Sequence, residues 1–92
     1  MSDTFQNDLF QRRPLVGILR GFQQEQIAPL VEACVTGGMT NLEITMNTEG
    51  ADEQIRAAIS AAGGRMNIGA GTVTSRERLD RAIAAGASYI VT

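Results

Sequence analysis

Apolar and polar positions follow two periods along this chain, and the two periods take turns. Pro14-Leu-Val-Gly-Ile-Leu19 is a short apolar run bounded by a proline and by Gly21, a pattern that predicts a buried strand. From Gln26 to Thr36 the apolar residues Ile27, Leu30, Val31, Cys34 and Val35 fall at helical spacing. Pro29 fits only near the first turn of that helix, and Gly37-Gly38 ends it by supplying a left-handed residue. Asn41 to Met46 then reads as a strand with Leu42 and Ile44 on one face and Glu43 and Thr45 on the other. Ala51 to Ala62 carries Ile55, Ala58, Ile59 and Ala62 on one helical stripe, and Asp52 and Glu53 in its first turn suit the helix dipole. Gly63-Gly64 stops it. Asn67 to Gly71 predicts a third, glycine-rich strand, and Thr74-Ser-Arg-Glu77 has capping-box spacing for a helix bearing Leu79, Ala82 and Ile83. Gly86 ends this helix, and Ser88 to Thr92 begins a fourth strand. Ahead of these units, residues 1–13 form a lead segment, in which Phe5 to Phe10 reads as a short amphipathic stretch covering one end of the strands.

The helix stops at Gly37, Gly63 and Gly86 recur after 26 and 23 residues. Strand–helix units of that length imply right-handed crossovers and a parallel sheet. Eight of them would come to roughly 200 residues, the lower end for a (β/α)₈ TIM barrel. The chain holds about three and a half, so the predicted α/β fold is the N-terminal half of such a barrel. An open three-layer sheet is the alternative that periodicity leaves standing. A half barrel exposes its first and fourth strands as edges and leaves its inward face bare. A chain of this size buries only ~60–65% of its unfolded surface even when compact. Residues 14–92 are therefore expected to be the leading, truncated part of one longer domain.

Composition narrows the chemistry. With 43% hydrophobic and 20% charged residues the chain is neither a disordered acidic tail nor a membrane protein, and no apolar run nears the ~18 residues a bilayer requires. MSDTFQNDLFQRR lacks the continuous apolar core of a secretory signal. The lone cysteine, Cys34, rules out an internal disulfide, fits a reducing cytoplasm and reads as a core residue. A net charge of −2 argues against a nucleic-acid partner. Histidine is absent, and all 8 cationic side chains are arginine. Imidazole-based zinc sites, Ser-His-Asp triads, Cys-His pairs and a lysine imine are thus excluded within these residues.

What remains is carboxylate, hydroxyl, guanidinium and backbone chemistry. Glu43 is the sharpest candidate: strand alternation turns it, with Thr45, to the face opposite Leu42 and Ile44, which in a barrel is the lumen. Desolvation there raises a carboxyl pKa and suits it to proton transfer. The alternative is an edge strand with a solvated glutamate. Arg20 ends the first strand, and if Val16 and Ile18 face the lumen it does too, where a guanidinium can grip a carboxylate. An arginine reaching into solvent is the alternative. Gly69-Ala-Gly-Thr72 ends the third strand with two glycines, which suit either close ligand approach or tight packing, and with a hydroxyl at the rim. It lacks the third glycine of a dinucleotide fingerprint. Glu49, Asp52 and Glu53 read as a helix N-terminus and not as a metal site.

In order and spacing, Pro14-Leu-Val-Gly-Ile-Leu-Arg-Gly21, Gly37-Gly38, Leu42-Glu-Ile-Thr-Met-Asn-Thr-Glu49, Gly69-Ala-Gly-Thr-Val73 and Ala85-Gly-Ala87…Ile90-Val-Thr92 resemble the N-terminal portion of the 2-keto-3-deoxy-6-phosphogluconate and 2-dehydro-3-deoxy-6-phosphogalactonate aldolases. The resemblance implies a class I aldolase on a (β/α)₈ barrel, a homotrimer that needs no metal or organic cofactor. Its substrate is a phosphorylated 2-keto-3-deoxy sugar acid. A barrel lysine forms an imine with the keto group, and cleavage gives pyruvate and glyceraldehyde 3-phosphate. Glu43 matches the family's acid/base glutamate, and Thr72 the threonine that seats the carboxylate end. Arg20, Thr45 and Asn47 complete the substrate-binding candidates. Asn47 stands where the gluconate enzymes carry arginine; with Arg20 it favours the galactonate branch, although Thr45 replaces that branch's frequent proline. A 6-phosphogluconate or 4-hydroxy-2-oxoglutarate aldolase is the alternative within the family. The imine lysine and the phosphate loop are expected beyond residue 92, so the chain alone is expected to be inactive. A non-catalytic half barrel that associates with another chain is the reading outside enzymology.

Overall fold

The alternation of periods becomes an alternation of elements. In the computed structural model, which describes residues 5–92, a short helix α1 (Asn7–Arg12) precedes strand β1 (Gly17–Leu19). A 3₁₀ turn at Gln24–Gln26 leads into α2 (Ile27–Thr36). Then follow β2 (Asn41–Thr45), α3 (Ala51–Ala62), β3 (Asn67–Gly71) and α4 (Arg76–Ala85). The strands are parallel in the order β1-β2-β3, with Ile18 opposite Glu43 and Glu43 opposite Gly69. Because the order is sequential and α2 packs on α3 and α3 on α4, the helices form one layer. A doubly wound sheet would reverse direction and carry helices on both faces. No second helix layer exists among the described residues.

The core lies between that layer and the sheet. Ile27 and Val31 of α2, Ile55 and Ala58 of α3, and Leu42 and Ile44 of β2 are all essentially inaccessible. Burying each large aliphatic side chain contributes ~1.5–3 kcal/mol relative to exposure. Gly17 also faces the helices, since a Cβ there would strike Leu42 and Met39. Ile18 and Arg20 therefore point to the opposite face.

Several boundaries differ from the sequence expectation, each for a local reason. Pro14 to Val16 lie outside β1, because the Leu15 carbonyl accepts from the Asn41 side chain (3.0 Å) and not from the β2 backbone. Leu15 is left 66% exposed at the sheet edge. Pro29 occupies the first turn of α2, where its missing N–H costs nothing. Gly37 stays right-handed at φ −78°, and Gly38 at φ +92° makes the left-handed turn. The cap of α4 is Ser75, whose Oγ accepts from the Arg78 N–H (3.1 Å), and not Thr74, whose hydroxyl accepts from the Arg78 guanidinium (2.8 Å). Ile83 is 54% exposed; α4 buries Ala82 and Ala85 in its place. The predicted fourth strand is reduced to one parallel bridge, Ala70 with Ile90, although 88–91 runs beside β3 with Ser88 N–H on Ile68 O (2.9 Å) and Val91 N–H on Ala70 O (2.8 Å).

Of the lead segment, Met1 to Thr4 lie outside the described residues. Residues 5–13 cover the amino ends of the strands as expected, with Leu9 buried and its carbonyl accepting from the Thr40 hydroxyl (2.8 Å).

Candidate active site at the carboxyl ends of the strands

Glu43 sits on the central strand, on the face away from the helices, and is only 6% exposed. The solvated edge-strand alternative is thereby removed. Its neighbours explain the burial. Gly71 of β3 has no side chain because the Glu43 carboxylate occupies the place where a Cβ would be. Gly69, the register partner of Glu43, is covered by the ring of Tyr89. The two glycines of Gly69-Ala-Gly71 thus serve close packing by side chains of this same chain. Burial pushes the Glu43 carboxyl above the usual glutamate range, and the Arg20 guanidinium pulls it partly back.

Arg20 reaches from the end of β1 across the sheet, and its Nη2 donates to the Thr72 hydroxyl at 3.3 Å. Its side chain is exposed, yet it is tied to the rim and acts electrostatically on Glu43. Thr72 is the one non-glycine among the described residues at positive φ, +54°. A β-branched residue rarely adopts that conformation. It is held there from three sides: Arg20 on the hydroxyl, Arg78 donating to its carbonyl (3.2 Å), and the following Val73 N–H bonded to Val91 O (3.2 Å). Sparsely populated backbone of this kind concentrates at functional sites.

The remaining candidates divide. Thr45 is fully buried, and its hydroxyl contacts Leu19 O and the Thr48 hydroxyl, both at 3.4 Å, so it links β1 to the turn after β2. Thr48 in turn accepts from the Gly21 N–H (3.0 Å) and fixes the loop that follows Arg20. Asn47 is exposed in that turn and makes no side-chain hydrogen bond to the described residues. A groove of about 500 Å³ opens beside it, lined by Phe22, Gln23, Thr48, Glu49 and Gln54 among others. Asp52 pairs across helices with Arg81 at 2.9 Å, which holds its carboxyl below the usual range; the acidic first turn of α3 is structural. Cys34 packs against the core as a partly buried free thiol.

Sequence reasoning missed Tyr89, the only tyrosine in the chain. Its hydroxyl donates to Leu42 O at 2.6 Å, immediately before Glu43, and burial together with the charge of Glu43 pushes its phenol far above the ordinary value. The available signal was an aromatic residue alternating with Ile90 in an extended segment. Arg20, Glu43, Thr72 and Tyr89 therefore come together from four separate stretches of sequence, while Thr45 supports them and Asn47 stands apart.

The family model for KDPG and KHG aldolase matches residues 7–92. The 2-dehydro-3-deoxy-phosphogluconate aldolase of Pseudoalteromonas atlantica is 36% identical over 84 residues, covering 91% of this chain and 39% of that protein. The 2-dehydro-3-deoxy-6-phosphogalactonate aldolase of Escherichia coli is 35% identical over 79 residues, 86% of this chain and 38% of its own length. Among solved structures, the 2-keto-3-deoxy-6-phospho-gluconate aldolase of Zymomonas mobilis superposes with a TM-score of 0.82 at 30% identity, over 94% of this chain and 41% of that one. The Legionella pneumophila KDPG aldolase, with pyruvate captured as a covalent carbinolamine intermediate, gives a TM-score of 0.79 at 30% identity over 89% of this chain and 39% of that one. The chain spans about two-fifths of the length of these relatives. No helix among the described residues is long and apolar enough to cross a membrane. By sequence and by fold, the chain belongs to the family of KDPG and KHG aldolases.

Proposed function

We propose that these residues form the acid/base half of a class I aldolase site, carried on the first three and a half strand–helix units of a (β/α)₈ barrel. The observation that carries this reading is a buried glutamate with a raised pKa at the centre of the open face, beside an arginine and a strained threonine. A carboxyl group whose hold on its proton is strengthened by burial can both accept and return a proton. In the reaction Glu43 takes protons from and gives them to the keto-derived carbon skeleton as the C3–C4 bond breaks. Arg20 and the Thr72 hydroxyl seat the anionic end of the substrate. Asn47 contacts it from the turn, and Thr45 positions β1 against β2. The imine-forming lysine comes from polypeptide outside these 92 residues, which contain none.

The substrate is a phosphorylated 2-keto-3-deoxy sugar acid, with the galactonate type favoured by Asn47 and Arg20. The gluconate and 4-hydroxy-2-oxoglutarate types are the alternative within the family. Exposed Leu15 and Val16 just ahead of β1, Ile18 on it and Val91 on the segment beside β3 support association with further polypeptide, whether barrel-completing or, as in the trimers that the resemblance implies, another copy. A non-catalytic scaffold that associates through the same surfaces is the second reading.

The test is a graft. The 92 residues replace the matching segment of the Escherichia coli phosphogalactonate aldolase, and the chimera is assayed for pyruvate release from both sugar-acid epimers. Turnover that depends on Glu43 supports the aldolase reading. A folded chimera that forms the pyruvate imine yet turns over equally well with Glu43→Gln would overturn it.

A further inference from the structure

The two glycines of β3 leave two slots on the open face, and each slot is filled by a different side chain. Over Gly69 lies the Tyr89 ring, and over Gly71 lies the Glu43 carboxylate. Glu43 pairs in register with Gly69, so a glutamate leaning straight across would enter the first slot. The ring already fills it. Two constraints hold the ring there: the hydroxyl donates to Leu42 O at 2.6 Å, and the Phe5 ring meets it edge-on at 5.8 Å. With its only proton committed to Leu42, the phenol offers Glu43 no donor and acts on it as a wall.

We propose that Tyr89 is a positioning residue that confines the Glu43 carboxylate to the slot over Gly71, next to Arg20 and Thr72. The two slots are two residues apart along β3, or ~6–7 Å at strand rise. A glutamate that dropped into the first slot would leave the carboxyl end of the sheet and lose its reach toward the rim. The charged and titratable groups facing Glu43 are Arg20, just past the end of β1, and Tyr89 from the segment beside β3. From β3 itself Asn67, Gly69 and Gly71 contribute none. This role rests on the aldolase reading for its purpose, though not for its geometry.

The test reads the glutamate directly, by nuclear magnetic resonance on the 92-residue chain. The Glu43 carboxyl signal, assigned through Glu43→Gln, is followed against pH in the wild type and in Tyr89→Leu and Tyr89→Phe. Removing the ring admits water, so in Tyr89→Leu the midpoint should fall toward the ordinary glutamate value. Tyr89→Phe keeps the ring and should keep the raised midpoint. In the wild type, the Tyr89 ring signals should titrate with the Glu43 midpoint and cease to do so in Glu43→Gln. That readout decides the matter should Tyr89→Leu fail to fold. Ring signals that ignore Glu43, or an unmoved midpoint in folded Tyr89→Leu, would overturn the positioning role even if the grafted enzyme needs Glu43. The converse pair, a moved midpoint with a Glu43→Gln graft of full activity, would sink the aldolase reading and spare the geometry.

Discussion

The open face of the sheet has two ends with similar polarity and opposite character. At the amino end, Asn41 and Asn67 are buried and every polar group is matched. Asn67 Nδ2 donates to Asn41 Oδ1 (2.9 Å) and to Gln6 O (3.0 Å), and the Gln6 N–H donates to Asn67 Oδ1 (2.7 Å). Asn41 Nδ2 donates to the carbonyls of Arg13 (2.9 Å) and Leu15 (3.0 Å). At the carboxyl end, Glu43 has no donor for its carboxylate among the hydrogen bonds of the described residues, Arg20 is exposed, and Thr72 is strained. Neutral amides that satisfy one another make a lock. A carboxyl group that is largely buried, with no protein donor and only a small remaining contact with solvent, makes a proton store, because its charged form is the costly one. Polar residues on one face can thus be divided by asking which of them still lack partners.

The sharpest way to break this contrast is to remove the titration at the carboxyl end. In the graft, Glu43→Gln should lower kcat by ~10²–10⁴, the usual worth of a positioned acid/base. Steady-state pyruvate release checks it, and circular dichroism should show the fold intact. At the amino end the currency is stability. Asn67→Ala strands the Asn41 Oδ1 and the Gln6 N–H, while the Gln6 carbonyl keeps the Phe10 N–H (3.3 Å), and should cost about 2–4 kcal/mol in urea unfolding, given ~1–3 kcal/mol for a buried polar group left unpartnered. An Asn67→Ala chain as stable as wild type would show that the lock is ornamental.

A smaller effect tests the strained rim. At most positions alanine is more stable than glycine, but at φ +54° the order should invert. Thr72→Gly should exceed Thr72→Ala by about 1 kcal/mol, since both lose the hydroxyl and only alanine keeps the Cβ clash. Denaturant midpoints of the two variants decide this. The last prediction is one of sign. The folded-state pKa of Glu43 lies above its unfolded value, so its burial penalty is absent below the ordinary glutamate range and grows as pH rises through the folded pKa. Glu43→Gln lacks that penalty. Its stability advantage over wild type should therefore be largest at neutral pH and close as the pH falls toward the ordinary range, and a gap that widens on acidification would contradict the burial argument.

Much of this was readable in order. The limits of α3 and β3 coincide with their predicted ones, because a strong apolar stripe ends at Gly63 and a glycine-rich run ends at Gly71. Glu43 was found because β alternation is a two-residue period that needs no tertiary knowledge. The cap of α4 moved from Thr74 to Ser75 because both residues offer a hydroxyl, and the Arg78 guanidinium, invisible to spacing rules, claims the first. Residues 88–91 took the place of the predicted strand but not its full ladder. The two asparagines stood at equivalent strand starts in the sequence, yet nothing there showed that they meet.

By itself the sequence determined the elements, the parallel sheet, the exclusion of histidine and lysine chemistry, and the family pattern, since these depend on residue type and on neighbours within a few positions. Only the tertiary structure decided which polar residues are matched and which are left without a protein partner. Gln6 reaches Asn67 across 61 positions, Tyr89 reaches Leu42 across 47, and Arg20 reaches Thr72 across 52. Desolvation and hydrogen-bond satisfaction are sums over everything that surrounds an atom in space, and those neighbours come from strands far apart in the chain.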